Sequence, residues 1–206
     1  MTGQNLVFRT VRKRKKYNAK EFFEFTKDRG KNSKDKNVRY ELIDGRICLM
    51  ASPSTGHQSL ILSIGAELQH YFKGKKCRPF IAPLDVVLFE KNKEKRDDSQ
   101  NVFQPDVFVV CSSSKISKNR INGAPDFVIE VVSPSNPEAD YFYKLNMYMK
   151  YGVKEYWIVN PELKQISVYI RPKKDDDVQV YFYTFEDKIK VSIFEDLELD
   201  FKEIII

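Results

Sequence analysis

The sequence predicts one domain of the mixed α/β (α+β) class, built on a mixed β-sheet flanked by helices, with additional β-hairpins. Segments rich in β-branched and aromatic residues alternate along the chain with segments of helical periodicity, which favours helices packed on a sheet. The 206 residues suffice for one core. No internal repeat, low-complexity tract or Gly/Ser linker divides them.

The first predicted elements are a helix, a hairpin and a second helix. NAKEFFEFTKDRG has Asn18 as its N-cap and Gly30 beyond its end. Two short strands in RYELIDGRICLM flank Asp44-Gly45, a dipeptide that favours a tight turn because glycine adopts positive φ. The clearest helix, in SPSTGHQSLILSIGAELQHYFKG, begins with Ser or Thr caps and ends before Gly74.

The second helix directs a histidine toward the core. His57 lies one turn before Ile61 on the apolar face, so its imidazole should point inward near the helix N-terminus. The apolar face comprises Leu60, Ile61, Ile64, Leu68 and Tyr71.

The rest of the chain is predicted to be mostly β-structure, with one helix. Strands are expected at 85–90, 102–110 and 125–133, with polar loops between them. A helix over 137–151 has Asn136 as N-cap and Gly152 beyond its end. EYWIVN and QISVYI follow as strands joined through PELK, and VQVYFYTF and KIKVSIF as a further β pair.

The positive charge is concentrated at the N-terminus. Residues 1–40 carry 13 Lys or Arg and 4 Asp or Glu, whereas the whole chain has a net charge of only +6, so the remainder is net acidic. We expect a basic tail over residues 1–16 and a single domain over 17–206. The tail's basic run could neutralise phosphates of a nucleic acid, or it could be a solvated surface. This run comprises Arg12, Lys13, Arg14, Lys15 and Lys16.

Composition excludes several protein classes. No apolar run is long enough to cross a bilayer, and charge stands where a signal peptide would need an apolar stretch. We therefore expect a cytoplasmic protein. Cys48, Cys77 and Cys111 are odd in number and lack CxxC spacing, so we expect three buried thiols rather than a disulfide or zinc site.

Two carboxylates on neighbouring strands are the main chemical signal. If 102–110 and 125–133 pair as an antiparallel hairpin, Asp106 lies opposite Glu130 when the midpoint is residue 118, and Val110 then lies opposite Asp126. Opposed carboxylates destabilise a sheet unless a positive group lies between them, so a divalent metal or a lysine is expected there.

Lys144 is the candidate lysine. It shares a helix face with Tyr141, Leu145 and Tyr148, which should pack on the sheet and direct the ammonium toward the two acids. The alternative is an exposed i,i+4 pair with Asp140, worth a few tenths of a kcal/mol.

These residues resemble a known family. PD at 105–106, followed by IEVVSPS at 129–135, is similar to the PD-(D/E)XK nuclease core. The surrounding sequence, from Tyr17 to Asp200, resembles the Uma-type branch of restriction-endonuclease-like proteins. The linked segments are YELIDGRI, STGHQ, QPDVFVV, GAPDFVIEVVSPS, YGVKEYWIVNP and LELD.

The resemblance implies a restriction-endonuclease-like fold and a Mg²⁺ (or Mn²⁺) site. Asp106, Glu130 and a main-chain carbonyl near Val131 would bind the ion, since hard cations prefer oxygen ligands. Where the simplest pattern has lysine, this chain has Val132. Branches of the superfamily move that lysine to the adjacent helix, which Lys144 matches, and its ammonium would assist the attacking water.

Four further residues match positions near the metal in related nucleases. His57 would be a ligand or a neighbour of one, Glu41 would lie beside the ion, Gln104 would orient phosphate or water, and Asp85 would support the site. The alternatives are a hydrogen-bonded core histidine for His57 and a pair of Glu41 with Arg39 or Arg46.

The resulting hypothesis is a Mg²⁺-dependent endonuclease that hydrolyses DNA phosphodiesters, with Asp106 and Glu130 on the metal and Lys144 at the water. The resemblance also implies that two copies pair as a homodimer. The alternative is a catalytically inactive protein of the same fold that binds nucleic acid or a partner, which the basic tail would serve.

Overall fold

The computed structural model describes residues 15–29, 38–90, 92–133, 139–171 and 177–204. The helices are α1 (Ala19–Arg29), α2 (Thr55–Phe72), α3 (Leu145–Tyr151) and α4 (Phe201–Ile204), and a π-helical segment, Ala139–Lys144, leads into α3. The strands are β1 (Tyr40–Ile43), β2 (Arg46–Leu49), β3 (Arg78–Ile81), β4 (Asp85–Val87), β5 (Val102–Phe103), β6 (Val107–Val110), β7 (Arg120–Asn122), β8 (Phe127–Val131), β9 (Glu155–Asn160), β10 (Gln165–Ile170), β11 (Gln179–Thr184), β12 (Lys188–Lys190) and β13 (Glu198–Asp200).

The strands form two mixed sheets and a small hairpin. The larger sheet has the order β11-β10-β9-β8-β6-β3, the smaller has the order β2-β1-β5-β4-β7, and β12 pairs with β13. Pairing is antiparallel except between β8 and β9 and between β4 and β7. The predicted mixed sheet flanked by helices is confirmed.

Three apolar layers hold these elements together. The buried face of α2 packs on one side of the six-stranded sheet, while α1 packs on the outer side of the five-stranded sheet. Tyr148 and Met149 of α3 lie in a cluster that joins the facing sides of the two sheets. None of the helices in the described ranges is long and apolar enough to cross a membrane.

The local signals at the predicted turns and caps are confirmed. Asn18 Oδ1 accepts from Glu21 N at 2.9 Å and Glu21 Oε2 accepts from Asn18 N at 3.2 Å, a reciprocal cap of α1. Asp44 and Gly45 both have positive φ, 47° and 72°, in the turn between β1 and β2. Ser54 Oγ caps α2 by accepting from His57 N. Gly30 and Asn136 lie outside the described residues.

The predicted strand 102–110 is wrong as a single element. It divides at Gln104-Pro105-Asp106, so β5 belongs to the five-stranded sheet and β6 to the six-stranded sheet. Pro105 has no N–H for a ladder and favours a break between two strands. This crossing places Asp106 where the two sheets meet.

One other strand prediction is wrong, and two strands of the sheets, β3 and β7, lie where none was predicted. β7 lies inside the polar loop between β6 and β8 and pairs with β4 in parallel. The two final segments do not pair with each other: β11 pairs with β10, and β12 pairs with β13. Local composition indicates strands but does not encode such partners.

The expectation of three thiols is also wrong. Cys77 and Cys111 form a disulfide across a sequence separation of 34 residues, and only Cys48 is a free, buried thiol. The reason is the pairing of β3 with β6: because Arg78 lies opposite Val110, the residues just outside these strands are neighbours. Burial, with the nearby charge of Glu41, raises the pKa of Cys48 to about 12.

Candidate active site

Asp106 and Glu130 meet at one end of the β6–β8 pair. The observed register places Val107 opposite Ile129 and Val109 opposite Phe127, which confirms the predicted midpoint. Asp106 N donates to Glu130 Oε2 at 3.2 Å, and Val131 N donates to Asp106 Oδ2 at 2.9 Å. Both residues are buried, with 9% and 1% of their surface exposed, so water screens their charges weakly.

Lys144 reaches Glu130, one of the two predicted acids, from the end of the π-helical segment. Its Nζ lies 3.0 Å from Glu130 Oε1 and 3.5 Å from Glu41 Oε1, and its side chain is 8% exposed. This ammonium therefore links Glu41 of β1 in the smaller sheet to Glu130 of β8 in the larger one. The side chain of Asp140, its alternative partner, lies outside the described part of the structure.

Tyr148 is a site residue that the sequence analysis assigned only to the apolar face. Its hydroxyl donates to Glu130 Oε1 at 2.7 Å. Burial, together with the neighbouring carboxylates of Glu130 and Glu41, raises the pKa of Tyr148 well above its usual value, so the hydroxyl stays protonated. Its position four residues after Lys144 predicts only a ring on the apolar helix face, and the contact with Glu130 is what assigns the hydroxyl to the site.

His57 lies at the same end of the sheet, at the N-terminus of α2. Its Nε2 is 3.0 Å from Val131 O and 3.3 Å from Asp106 Oδ2. The predicted inward orientation of this histidine therefore brings it to the two residues that the resemblance associates with a metal.

A chain of hydrogen bonds connects Glu41, Gln104 and Asp85. Gln104 N donates to Glu41 Oε1 at 2.8 Å, and Gln104 Nε2 donates to Asp85 Oδ1 at 2.9 Å. Burial raises the pKa of Asp85, although the hydrogen bond from Gln104 and the charge of Arg120 lower it in part. Glu41 thus shares the Lys144 ammonium with Glu130, and Gln104 links Glu41 to Asp85.

The site carries more buried negative than positive charge. Glu41, Asp106 and Glu130 are buried carboxylates, and Lys144 is the one buried lysine beside them within the described ranges. Isolated charge is costly in the interior, so an added cation would stabilise this arrangement.

The carboxylate and carbonyl oxygens of the site are of the kind that hard divalent cations prefer. In the structure two of them, Val131 O and Asp106 Oδ2, lie 3.0 and 3.3 Å from His57 Nε2, which donates to Val131 O. Within the described ranges no three His, Cys, Asp or Glu side chains form a metal-binding group, so a cation would draw on the Val131 carbonyl and on water or phosphate oxygens.

The basic run lies mostly outside the described residues, which include only Lys15 and Lys16 from it. Lys15 Nζ pairs with Glu21 Oε1 at 2.6 Å, and Lys16 Nζ lies 3.0 Å from Asp44 Oδ1. These exposed pairs hold the start of the described chain against α1 and the β1–β2 turn. They do not test the predicted contact with nucleic acid.

Asp126 occupies the opposite end of β8. Its Oδ1 accepts from Lys154 Nζ at 2.8 Å and its Oδ2 from Cys111 N at 2.8 Å. These bonds give Asp126 a structural role at the far end of the sheet, as the sequence analysis placed it opposite Val110. It is therefore a useful control for Glu130 on the same strand.

Comparison with known proteins places this chain within a family. An uncharacterized protein of Synechocystis sp. (strain PCC 6803) is 23% identical over 154 residues, which cover 74% of this chain and 76% of that protein. A crystal structure described as a "putative nuclease belonging to DUF820", from Anabaena variabilis, has a TM-score of 0.62 and 20% identity, covering 80% of this chain and 88% of the other. The Uma2 family, described as "Putative restriction endonuclease", matches residues 19–202, and the chain belongs to this family.

Proposed function

We propose that this protein is a Mg²⁺-dependent endonuclease, able to use Mn²⁺, that hydrolyses DNA phosphodiester bonds. The observation that carries the proposal is the buried excess of carboxylates at Glu41, Asp106 and Glu130 beside the single ammonium of Lys144. Membership of a family described as "Putative restriction endonuclease" supports hydrolysis as the reaction.

Asp106, Glu130 and the Val131 carbonyl would hold the cation, with His57 as their immediate neighbour. When bound, the cation would lower the pKa of a coordinated water and offset charge on the phosphate. Asp106 is fixed for this role by the Val131 N–H, and Glu130 by the Asp106 N–H, so two main-chain donors orient the two carboxylates. Such preorganisation avoids rearrangement during the reaction.

Lys144 would act on the attacking water and on the charge that develops on the phosphate. Its ammonium is held at 3.0 Å from Glu130 and is nearly excluded from solvent, where a compact positive charge acts strongly. Glu41 would keep the ammonium in place from its other side, and the Gln104–Asp85 pair would in turn hold Glu41.

DNA binding would depend on the positive charge of the basic run and on the pairing of two copies of the protein. The basic run Arg12–Lys16 would neutralise backbone phosphates, giving affinity that falls with salt. A homodimer would bring one site to each strand of a duplex, and we propose this state for the active form.

A plasmid cleavage assay tests the proposal. The protein with Mg²⁺ or Mn²⁺ should nick or linearise supercoiled plasmid, whereas Glu130→Gln and Asp106→Asn should lose activity about 100-fold or more. Asp126→Asn, on the same strand as Glu130 but at its far end, should remain active. If Glu130→Gln and wild type cleave equally, the activity belongs to a contaminant. DNA binding that survives Asp106→Asn without any cleavage by wild type would instead favour the inactive binding protein.

A further inference from the structure

The two oxygens of Glu130 have different surroundings. Oε1 accepts two hydrogen bonds, from Lys144 Nζ at 3.0 Å and Tyr148 Oη at 2.7 Å, while Oε2 accepts from Asp106 N at 3.2 Å. A carboxylate oxygen has two lone-pair directions, so these two donors occupy Oε1. Oε2 is the oxygen on the Asp106 side.

We propose that Tyr148 is a positioning residue, whose hydroxyl turns the Glu130 carboxylate so that Oε2 faces Asp106 and the cation between them. This inference rests on the proposed function and assigns a role to a residue that does not itself touch the cation. Groups that orient a metal-binding carboxylate in this way change metal affinity without being ligands.

Lys144 alone would hold Glu130 poorly, for two reasons. Its ammonium is shared with Glu41, 3.5 Å away, and it sits on a flexible four-carbon stem. In the proposed reaction the same ammonium would also contact the attacking water, so it would not serve Oε1 alone. Tyr148 is rigid by comparison, because its ring is fully buried between two other rings. Its ring centroid lies 5.5 Å from that of Phe103 and 5.1 Å from that of Tyr156.

Packing accounts for the ring of Tyr148 but not for its hydroxyl. A phenylalanine would fill the same space between Phe103 and Tyr156 without burying a polar atom that needs a partner. The hydroxyl instead donates to a carboxylate, and hydrogen bonds to charged acceptors are the stronger class. The hydroxyl oxygen of Tyr148 therefore has a role that is separate from the packing of its ring in the core.

The test compares Tyr148→Phe with Tyr151→Phe. Tyr151 is on the same helix and its hydroxyl also has a hydrogen-bond partner, Asn101 Nδ2 at 3.2 Å, away from the two acids. Calorimetric titration with Mn²⁺ in the absence of DNA should give a Kd raised about tenfold or more in Tyr148→Phe. Tyr151→Phe should bind as wild type does. Cleavage by Tyr148→Phe should recover at higher Mn²⁺, with KM for plasmid unchanged.

Lys144→Met provides a second variant that does not depend on the folding of Tyr148→Phe. It should bind Mn²⁺ at least as tightly as wild type, because Tyr148 still holds Oε1 and a repelling charge is gone, yet it should not cleave. Weaker Mn²⁺ binding by Lys144→Met would assign the orienting role to the lysine and overturn the inference. Equal Mn²⁺ affinity in wild type and Tyr148→Phe would overturn it as well. Absence of Mn²⁺ binding by wild type would overturn the proposed function together with it.

Discussion

Replacing Lys144 with Met should destabilise the metal-free protein far more than an ordinary lysine substitution does. The change leaves Glu130 and Glu41, whose side chains are 2% and 7% exposed, without their shared ammonium. Removing one partner of a buried ion pair costs about 3–5 kcal/mol, because the remaining charge is buried and uncompensated. For a chain of this size the melting temperature should fall on the order of 10 °C.

Lys154→Met is the matched control for this substitution. Lys154 Nζ lies 2.8 Å from Asp126 Oδ1, at least as close as Lys144 is to Glu130, but the Lys154 side chain is 58% exposed. Asp126 is itself only 10% exposed, but it keeps the hydrogen bond from Cys111 N, and water can replace the exposed ammonium, so the loss should lie nearer the roughly 0–1 kcal/mol of an exposed pair. The two variants differ in the burial of the lysine and in the number of acids that it contacts.

Urea unfolding followed by circular dichroism, at pH 7 with EDTA, measures both variants. The double variant Lys144→Met/Glu130→Gln should recover part of the loss, because it removes one of the uncompensated charges. If Lys144→Met and Lys154→Met lose the same free energy of unfolding, the reasoning from buried charge is refuted.

Two further predictions concern stability away from the candidate site. Glu155 is buried, and burial raises its pKa to about 7 despite hydrogen bonds from Trp157 Nε1 and Ile193 N. Because the folded state binds this proton more tightly than the unfolded state does, the free energy of unfolding should fall by on the order of 3 kcal/mol as pH rises from about 4.5 to about 7. Urea titrations at several pH values should show a flatter dependence for Glu155→Gln, and parallel curves would contradict the assignment. The Cys77–Cys111 disulfide closes a loop with a sequence separation of 34 residues, so its reduction should lower the free energy of unfolding by about 4 kcal/mol, measured in urea with and without dithiothreitol. A Cys77→Ser/Cys111→Ser variant should unfold identically in both conditions, and equal stability of oxidised and reduced wild type would refute the estimate.

The part of the site that depends on local pairing could be predicted from the sequence. The register of β6 and β8 follows from placing two acids opposite each other across a polar loop, and the structure has that register. Lys144 could be placed because helical periodicity put it on the face that packs toward the sheet. Its contacts with Glu130 and Glu41 agree with that placement.

The features that depend on distant pairing could not be predicted. The disulfide requires β3 to pair with β6, and the sequence indicates neither the strand Arg78–Ile81 nor its pairing with the predicted segment that contains β6. The parallel pairing of β7 with β4 likewise joins a three-residue strand to one far along the chain. Such short strands gain their stability from neighbours in the sheet rather than from their own sequence.

Tyr148 was missed for a different reason. On an apolar helix face a tyrosine is read as core, and its ring is indeed in the core. Only the three-dimensional contact with Glu130 separates the ring, which packs, from the hydroxyl, which orients a carboxylate.

The break at Gln104-Pro105-Asp106 has a mechanical consequence. These three residues form one of the short connections between the two sheets, so a shift of one sheet relative to the other should displace the Asp106 carboxylate. Lys144 also connects the two sheets, because its ammonium lies near Glu41 of the smaller sheet and Glu130 of the larger sheet. The distances between the acidic groups therefore depend on the relative position of the two sheets. A core substitution far from Asp106 that shifts either sheet would change these distances.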